Sequence, residues 1–223
     1  MSAAAVEHPC EPSDGEPPTL LEEADRLMEQ LPGHRVEIIG GVITVAPPPD
    51  SAHAAVLTDV MIPFLAAGLH GGESHVLQGV GLWLPDGPED YAIPDLAVVD
   101  ADLDEHLIEF NCYDPAAFRL VLEVTSSNYR NDLRNKVVAY AQAKIPVYVI
   151  VDRRHTRVHV LTSPLTNDYD SHEVYAPGQQ IVLPSSVGAE VKLDATRLLT
   201  AGRRRASREE AQQEQAPGGG LSG

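Results

Sequence analysis

Residues 118–125, FRLVLEVT, form a stretch with little compatibility with water. Branched and long apolar side chains fill it, which is the composition of a buried strand, yet one carboxylate, Glu123, sits inside it. Side chains alternate along a strand, so Arg119, Val121 and Glu123 share one face while Leu120, Leu122 and Val124 share the other. A glutamate among such neighbours must be paired or must stand at an opening, because burying a lone carboxylate is costly. Any fold this chain adopts has to bring Glu123 a partner or an opening.

Around that strand the order of elements is helix, strands, helix, strands. Leu20, Leu21, Ala24, Leu27, Met28 and Leu31, stopped by Pro32-Gly33, predict a first helix. HRVEIIGGVITVAPPP predicts a hairpin turning at Gly40-Gly41. Ser51 is placed to cap a second helix with His53, Leu57, Val60 and Phe64 inward, kinked or shortened at Pro63. HVLQGVGLWL, AIPDLAVVD and FRLVLEVTS read as strands, the last two separated by a polar loop over 102–114. A third helix is predicted over about 131–144. A hairpin of VYVIVD and RVHVLT turning at 153–156 follows, then short strands near 172–175, 180–183 and 190–193. The fold class is α/β or α+β, a mixed β-sheet flanked by helices.

The length, 223 residues with 43% hydrophobic content, suits one domain with a real core. Its expected bounds are 18–200, between an acidic, Pro-rich N-terminal tail (1–17) and a C-terminal tail (201–223) that ends in Gly and Ser. No signal-like series opens the sequence, and the longest nearly apolar run, 60–69, is too short to span a bilayer. A cytoplasmic protein with no membrane partner is expected. Cys10 and Cys112 are the only cysteines, which suits a reducing compartment and offers no zinc spacing.

The net charge of -17 argues against coating nucleic acid by electrostatics alone. Arg130, Arg134, Lys136, Lys144, Arg153, Arg154 and Arg157 nevertheless fall in one window holding only Asp132 and Asp152 as acids. A polyanion would prefer that window.

Asp95 follows Pro94 at the start of an apolar run, and proline is tolerated at a strand's first position. Lys136 lies on the flank of the Leu133, Val137, Tyr140 stripe of the third helix and can reach toward the sheet. If the strands are neighbours, two carboxylates and an ammonium converge at one sheet edge. A hard divalent cation is one way to join such acids, and a lysine beside it can orient a water or stabilise charge on a phosphate. An ion network without metal is the other reading of the same residues.

The ordered series Pro94-Asp95, Glu123, Lys136 with Tyr140, and then Ile145-Pro146-Val147-Tyr148 resembles the restriction-endonuclease family of Uma type within the PD-(D/E)XK nuclease superfamily. The resemblance spans roughly 20–199 and includes Glu37 to Gly41 and His53 after a Pro-rich turn. It implies a restriction-endonuclease-like fold and divalent-metal-dependent cleavage of DNA. By position, Asp95, Glu123 and the carbonyl of Val124 would bind Mg2+ or Mn2+. Lys136 would handle the attacking water or the phosphate charge, and Glu37 would complete the metal shell or orient the lysine. The superfamily pattern puts lysine two residues after the acid. Thr125 stands there in this chain, with Lys136 substituting from the helix.

Tyr140 is expected to pack with its hydroxyl near the site. His53, Arg130, Arg134 and Arg153 are candidate DNA contacts, and a homodimer is a possible assembly. His155 and His159 are four apart in a hairpin, which does not suit a metal pair. The alternative function is a catalytically silent nuclease fold that binds nucleic acid or protein, and a third is a metalloenzyme acting on a smaller phosphate substrate.

Overall fold

The computed structural model describes residues 17–125 and 129–201; the side chains at 52 and 129–133 lie outside the description. Apart from residues 17 and 201, so do the two expected tails. In chain order the elements begin with α1 (Leu20–Gln30), β1 (Arg35–Ile39), β2 (Val42–Ala46), α2 (Ser51–Ala66), β3 (Ser74–Leu77), β4 (Gly81–Trp83), β5 (Tyr91–Ala92) and β6 (Leu96–Asp100). There follow β7 (Leu107–Glu109), β8 (Cys112–Tyr113), β9 (Phe118–Thr125), α3 (Tyr129–Gln142), β10 (Val147–Asp152), β11 (Arg157–Pro164), β12 (Tyr169–Tyr175), β13 (Gln180–Val182), β14 (Lys192–Asp194) and α4 (Ala195–Thr200).

Among the described residues the strands form two six-stranded mixed sheets and a two-stranded ribbon, where the sequence suggests a single mixed sheet. The first sheet has the order β2-β1-β5-β4-β8-β7 and the second β12-β11-β10-β9-β6-β3. Two runs that read as single strands are each divided between them. HVLQGVGLWL gives β3 to the second sheet and β4 to the first, with Gly79 at φ 64° turning the chain out of extended geometry between them. AIPDLAVVD gives β5 to the first sheet and β6 to the second, crossing at 93–95.

The hairpin of β1 and β2 turns at Gly40 and Gly41, both at positive φ, with Ile39 paired to Val42. That is the two-residue loop glycine pairs favour. Buried Asp90 holds the loop by accepting from the N–H groups of Gly40 (2.6 Å) and Gly41 (3.1 Å). Helix α1 starts with a reciprocal Thr19–Glu22 capping box. Helix α2 is capped by Asp50, not Ser51: the Asp50 carboxylate accepts from the His53 N–H at 2.8 Å. Pro63 does not end α2, which runs on to Ala66.

Strands β9 and β10 are parallel neighbours joined through α3, so the helix lies over one face of the second sheet. On the opposite face Leu120, Leu122 and Val124 pack into a core with Val56, Val60 and Phe64 of α2 and Leu198 of α4. On the α3 face Val121 packs with Val137 and Tyr140, and with Leu82, Leu84 and Ala92 from the first sheet. The register shift opposite Val98 and Val99 turns Phe118, rather than Arg119, toward that face. Arg119 instead pairs with Asp100 at 2.5 Å. No described helix is long and apolar enough to cross a membrane.

Candidate active site

Strand β1 turns Val36 and Ile38 into a core with Ala24 of α1, which leaves Arg35 and Glu37 on its other face, toward the second sheet. These two side chains grip the crossover between the sheets. Glu37 Oε1 accepts from the Ile93 N–H at 2.7 Å, while Arg35 donates to the Ile93 carbonyl at 3.1 Å. Pro94 has no N–H with which to continue a ladder, so side chains take over that work and fix Asp95 just ahead of β6.

Asp95 is buried and its two oxygens have unlike partners. Oδ2 accepts from the Val124 N–H at 2.8 Å. Oδ1 accepts from Arg35 at 2.6 Å, and His53 Nε2 lies 3.4 Å from the same oxygen. Burial raises the carboxyl's pKa, but the hydrogen bond from His53, the charge of Arg35 and the Val124 N–H outweigh it and hold Asp95 well below the usual carboxylate range. Burial likewise opposes the charge on Arg35, and the carboxylates of Glu37, Glu123 and Asp95 more than restore it.

Glu123, the acid of the apolar strand, receives its partners from α3. Lys136 Nζ donates to Glu123 Oε1 at 2.7 Å and to Glu37 Oε1 at 2.9 Å, bridging the two sheets. The Tyr140 hydroxyl, one helical turn on, donates to Glu123 Oε1 at 2.9 Å. Burial and the adjacent Glu123 and Glu37 charges push the Tyr140 pKa well up, so the phenol stays a donor. Glu37, Glu123 and Lys136 are all buried. Among the described residues, three buried carboxylates thus gather around Arg35 and Lys136, with His53 beside Asp95.

The donor set suits a hard cation. Mg2+ keeps several waters and takes one or two carboxylates, which Asp95 and Glu123 with the Val124 carbonyl would supply. Among the described residues no three His, Cys, Asp or Glu side chains are grouped as a ready cage, and a site of that open kind does not require one.

The structure therefore gathers Glu37, Asp95, Glu123, Lys136 and His53, and adds Arg35. Arg134 is exposed and, two residues from Lys136, lies about 200° round the helix. Arg153 lies in the β10–β11 turn, at the sheet end where β9 leaves Glu123. The Arg130 side chain is outside the described residues. The hydroxyl of Thr125, at the superfamily's lysine position, donates to the Val151 carbonyl at 3.4 Å. His155 and His159 both approach buried Asp152, at 2.9 and 3.8 Å, and His159 pairs with His172 at 2.9 Å. Arg35 escaped the reading of the sequence, although it left a signal: it is two residues from Glu37, so a strand that aims one aims both.

A family model described as "Putative restriction endonuclease", Uma2, matches residues 21–196. The chain belongs to the Uma2 family. The Uma2 match takes in every residue of the cluster, from Arg35 on β1 to Tyr140 on α3. Among solved structures, the chain is similar to a protein titled "putative nuclease" from Anabaena variabilis, with 18% identity and a TM-score of 0.60, covering 83% of this chain and 99% of that one. That likeness bears on the fold. No curated protein matches the sequence.

Proposed function

We propose that this Uma2 protein hydrolyses DNA phosphodiester bonds with Mg2+ or Mn2+ bound by Asp95, Glu123 and the Val124 carbonyl. The observation that carries the reading is Lys136 Nζ held between Glu37 and Glu123, with Asp95 fixed beside them, in a chain of a restriction-endonuclease family. The ion would supply Lewis-acid stabilisation of charge on the phosphate and a more acidic bound water. The chain's own groups do the rest. Lys136 presents an ammonium fixed by two carboxylates, ready to orient a water or to stabilise a phosphate oxygen without rearranging. Tyr140 holds the Glu123 carboxylate in one rotamer, and Glu37 keeps the lysine from folding onto Glu123 alone. Arg153, in the turn at the same sheet end, would meet the phosphate backbone. Cutting both strands takes two sites, which a homodimer would bring.

Purified protein incubated with supercoiled plasmid and Mn2+ should nick it, and Asp95→Ala and Lys136→Ala should each slow nicking by at least about 100-fold. Absence of nicking with any divalent ion, or nicking indifferent to both substitutions, would refute the proposal. The silent-module reading, a fold that binds nucleic acid or protein, draws on the pairing of Asp95 with Arg35 and of Glu123 with Lys136; under it any DNA that binds, with a salt-dependent affinity, remains uncut.

A further inference from the structure

The two cations of the cluster are held differently. Lys136 is 4% exposed and bonds two carboxylates. The Arg35 side chain is 30% exposed, giving it a way out to solvent. One of its terminal nitrogens makes both its bonds, to Asp95 Oδ1 and the Ile93 carbonyl, while its buried Nε has no hydrogen-bond partner. Asp95 is likewise divided: Oδ2 stays pinned by the Val124 N–H, and Oδ1 is the oxygen that can exchange partners. A carboxylate with one fixed and one exchangeable oxygen can change its cation without itself moving.

We propose that Arg35 is a positioning residue that competes with the divalent ion for Asp95. The guanidinium occupies the exchangeable oxygen and neutralises the acids, and an incoming ion displaces it toward solvent. This rests on the metal reading above and adds regulation to it: the affinity of the site for metal is set by how well Arg35 holds Asp95. Like charges on one carboxylate repel, so each weakens the other's hold, and the coupling is reciprocal. The Val124 N–H on Oδ2 keeps Asp95 in place through the exchange, while Glu37 and Glu123 draw the guanidinium back when the ion leaves.

The test is calorimetric titration of Mn2+ into the full-length wild type and Arg35→Gln, with no DNA present. The variant should bind Mn2+ at least about tenfold more tightly. Should Arg35→Gln fail to fold, the wild type decides alone. Modification by a guanidine-directed dicarbonyl reagent, located by mass spectrometry, should rise at Arg35 on adding Mn2+ and stay level at Arg119, which is held by Asp100. Equal or weaker Mn2+ binding by the variant, or unchanged Arg35 modification in wild type that binds Mn2+, overturns the competition and leaves the metal reading standing. If neither protein binds Mn2+, both fall.

Discussion

Asp95 gives the site its sensitivity to acid. Its carboxyl is held well below the ordinary value of about 4, so it stabilises the fold fully above that value, and this contribution is lost as pH falls through the lower, folded-state value. Asp95→Asn keeps the shape and removes the charge. It should cost about 2 kcal/mol at neutral pH, the worth of hydrogen bonds to a charged group. Below about pH 4 the stability of the variant should fall less steeply than that of the wild type. Urea midpoints taken from neutral to strongly acidic buffer would show it, and parallel wild-type and variant curves would contradict it. Of these residues the acids and the lysine were readable in the sequence because each broke its surroundings: Glu123 in an apolar run, Asp95 behind a proline, Lys136 beside an apolar stripe. Arg35 broke nothing, since an arginine next to a turn is ordinary surface until the strand beneath it is known to face a second sheet. His53 is readable as a member of the site, and the structure sets its Nε2 beside Asp95.

The elements themselves follow their local signals wherever one neighbour decides them. The Gly40-Gly41 hairpin, α1 and the β10–β11 hairpin lie where turn chemistry and periodicity put them. Caps are finer. Asp50 and Ser51 both suit an N-cap, and the structure chooses Asp50, whose carboxylate also holds the backbone of His53. Asp50→Ala should therefore cost about 1 kcal/mol and Ser51→Ala a few tenths at most. Denaturant midpoints of the two variants test this, and the reverse order would return the cap to Ser51. What periodicity could not supply was the partner of each strand. An apolar run reports that it is buried, not by what, so HVLQGVGLWL and AIPDLAVVD looked continuous although each serves two sheets. Helix α4 leaves no periodic signal in the sequence, because six residues are too few to set up a helical pattern.

The two sheets meet through the cluster. Glu37 belongs to the first, Glu123 to the second, and Lys136 ties them. A double-mutant cycle of Glu37→Gln and Lys136→Met, read by urea unfolding, should give a coupling energy of at least about 1 kcal/mol, because the groups are buried and in contact. Lys136→Met alone should cost about 3 kcal/mol, since it strands two carboxylates. A coupling near zero would mean Glu123 satisfies the lysine unaided. Glu37 and Lys136 are 99 residues apart in sequence. As the polypeptide leaves the ribosome, Glu37 emerges long before the amine that must join it to Glu123, and no half-made product can assemble the constellation. Whatever chemistry these groups perform is withheld from the cell until synthesis has passed the third helix and the halves have closed on each other.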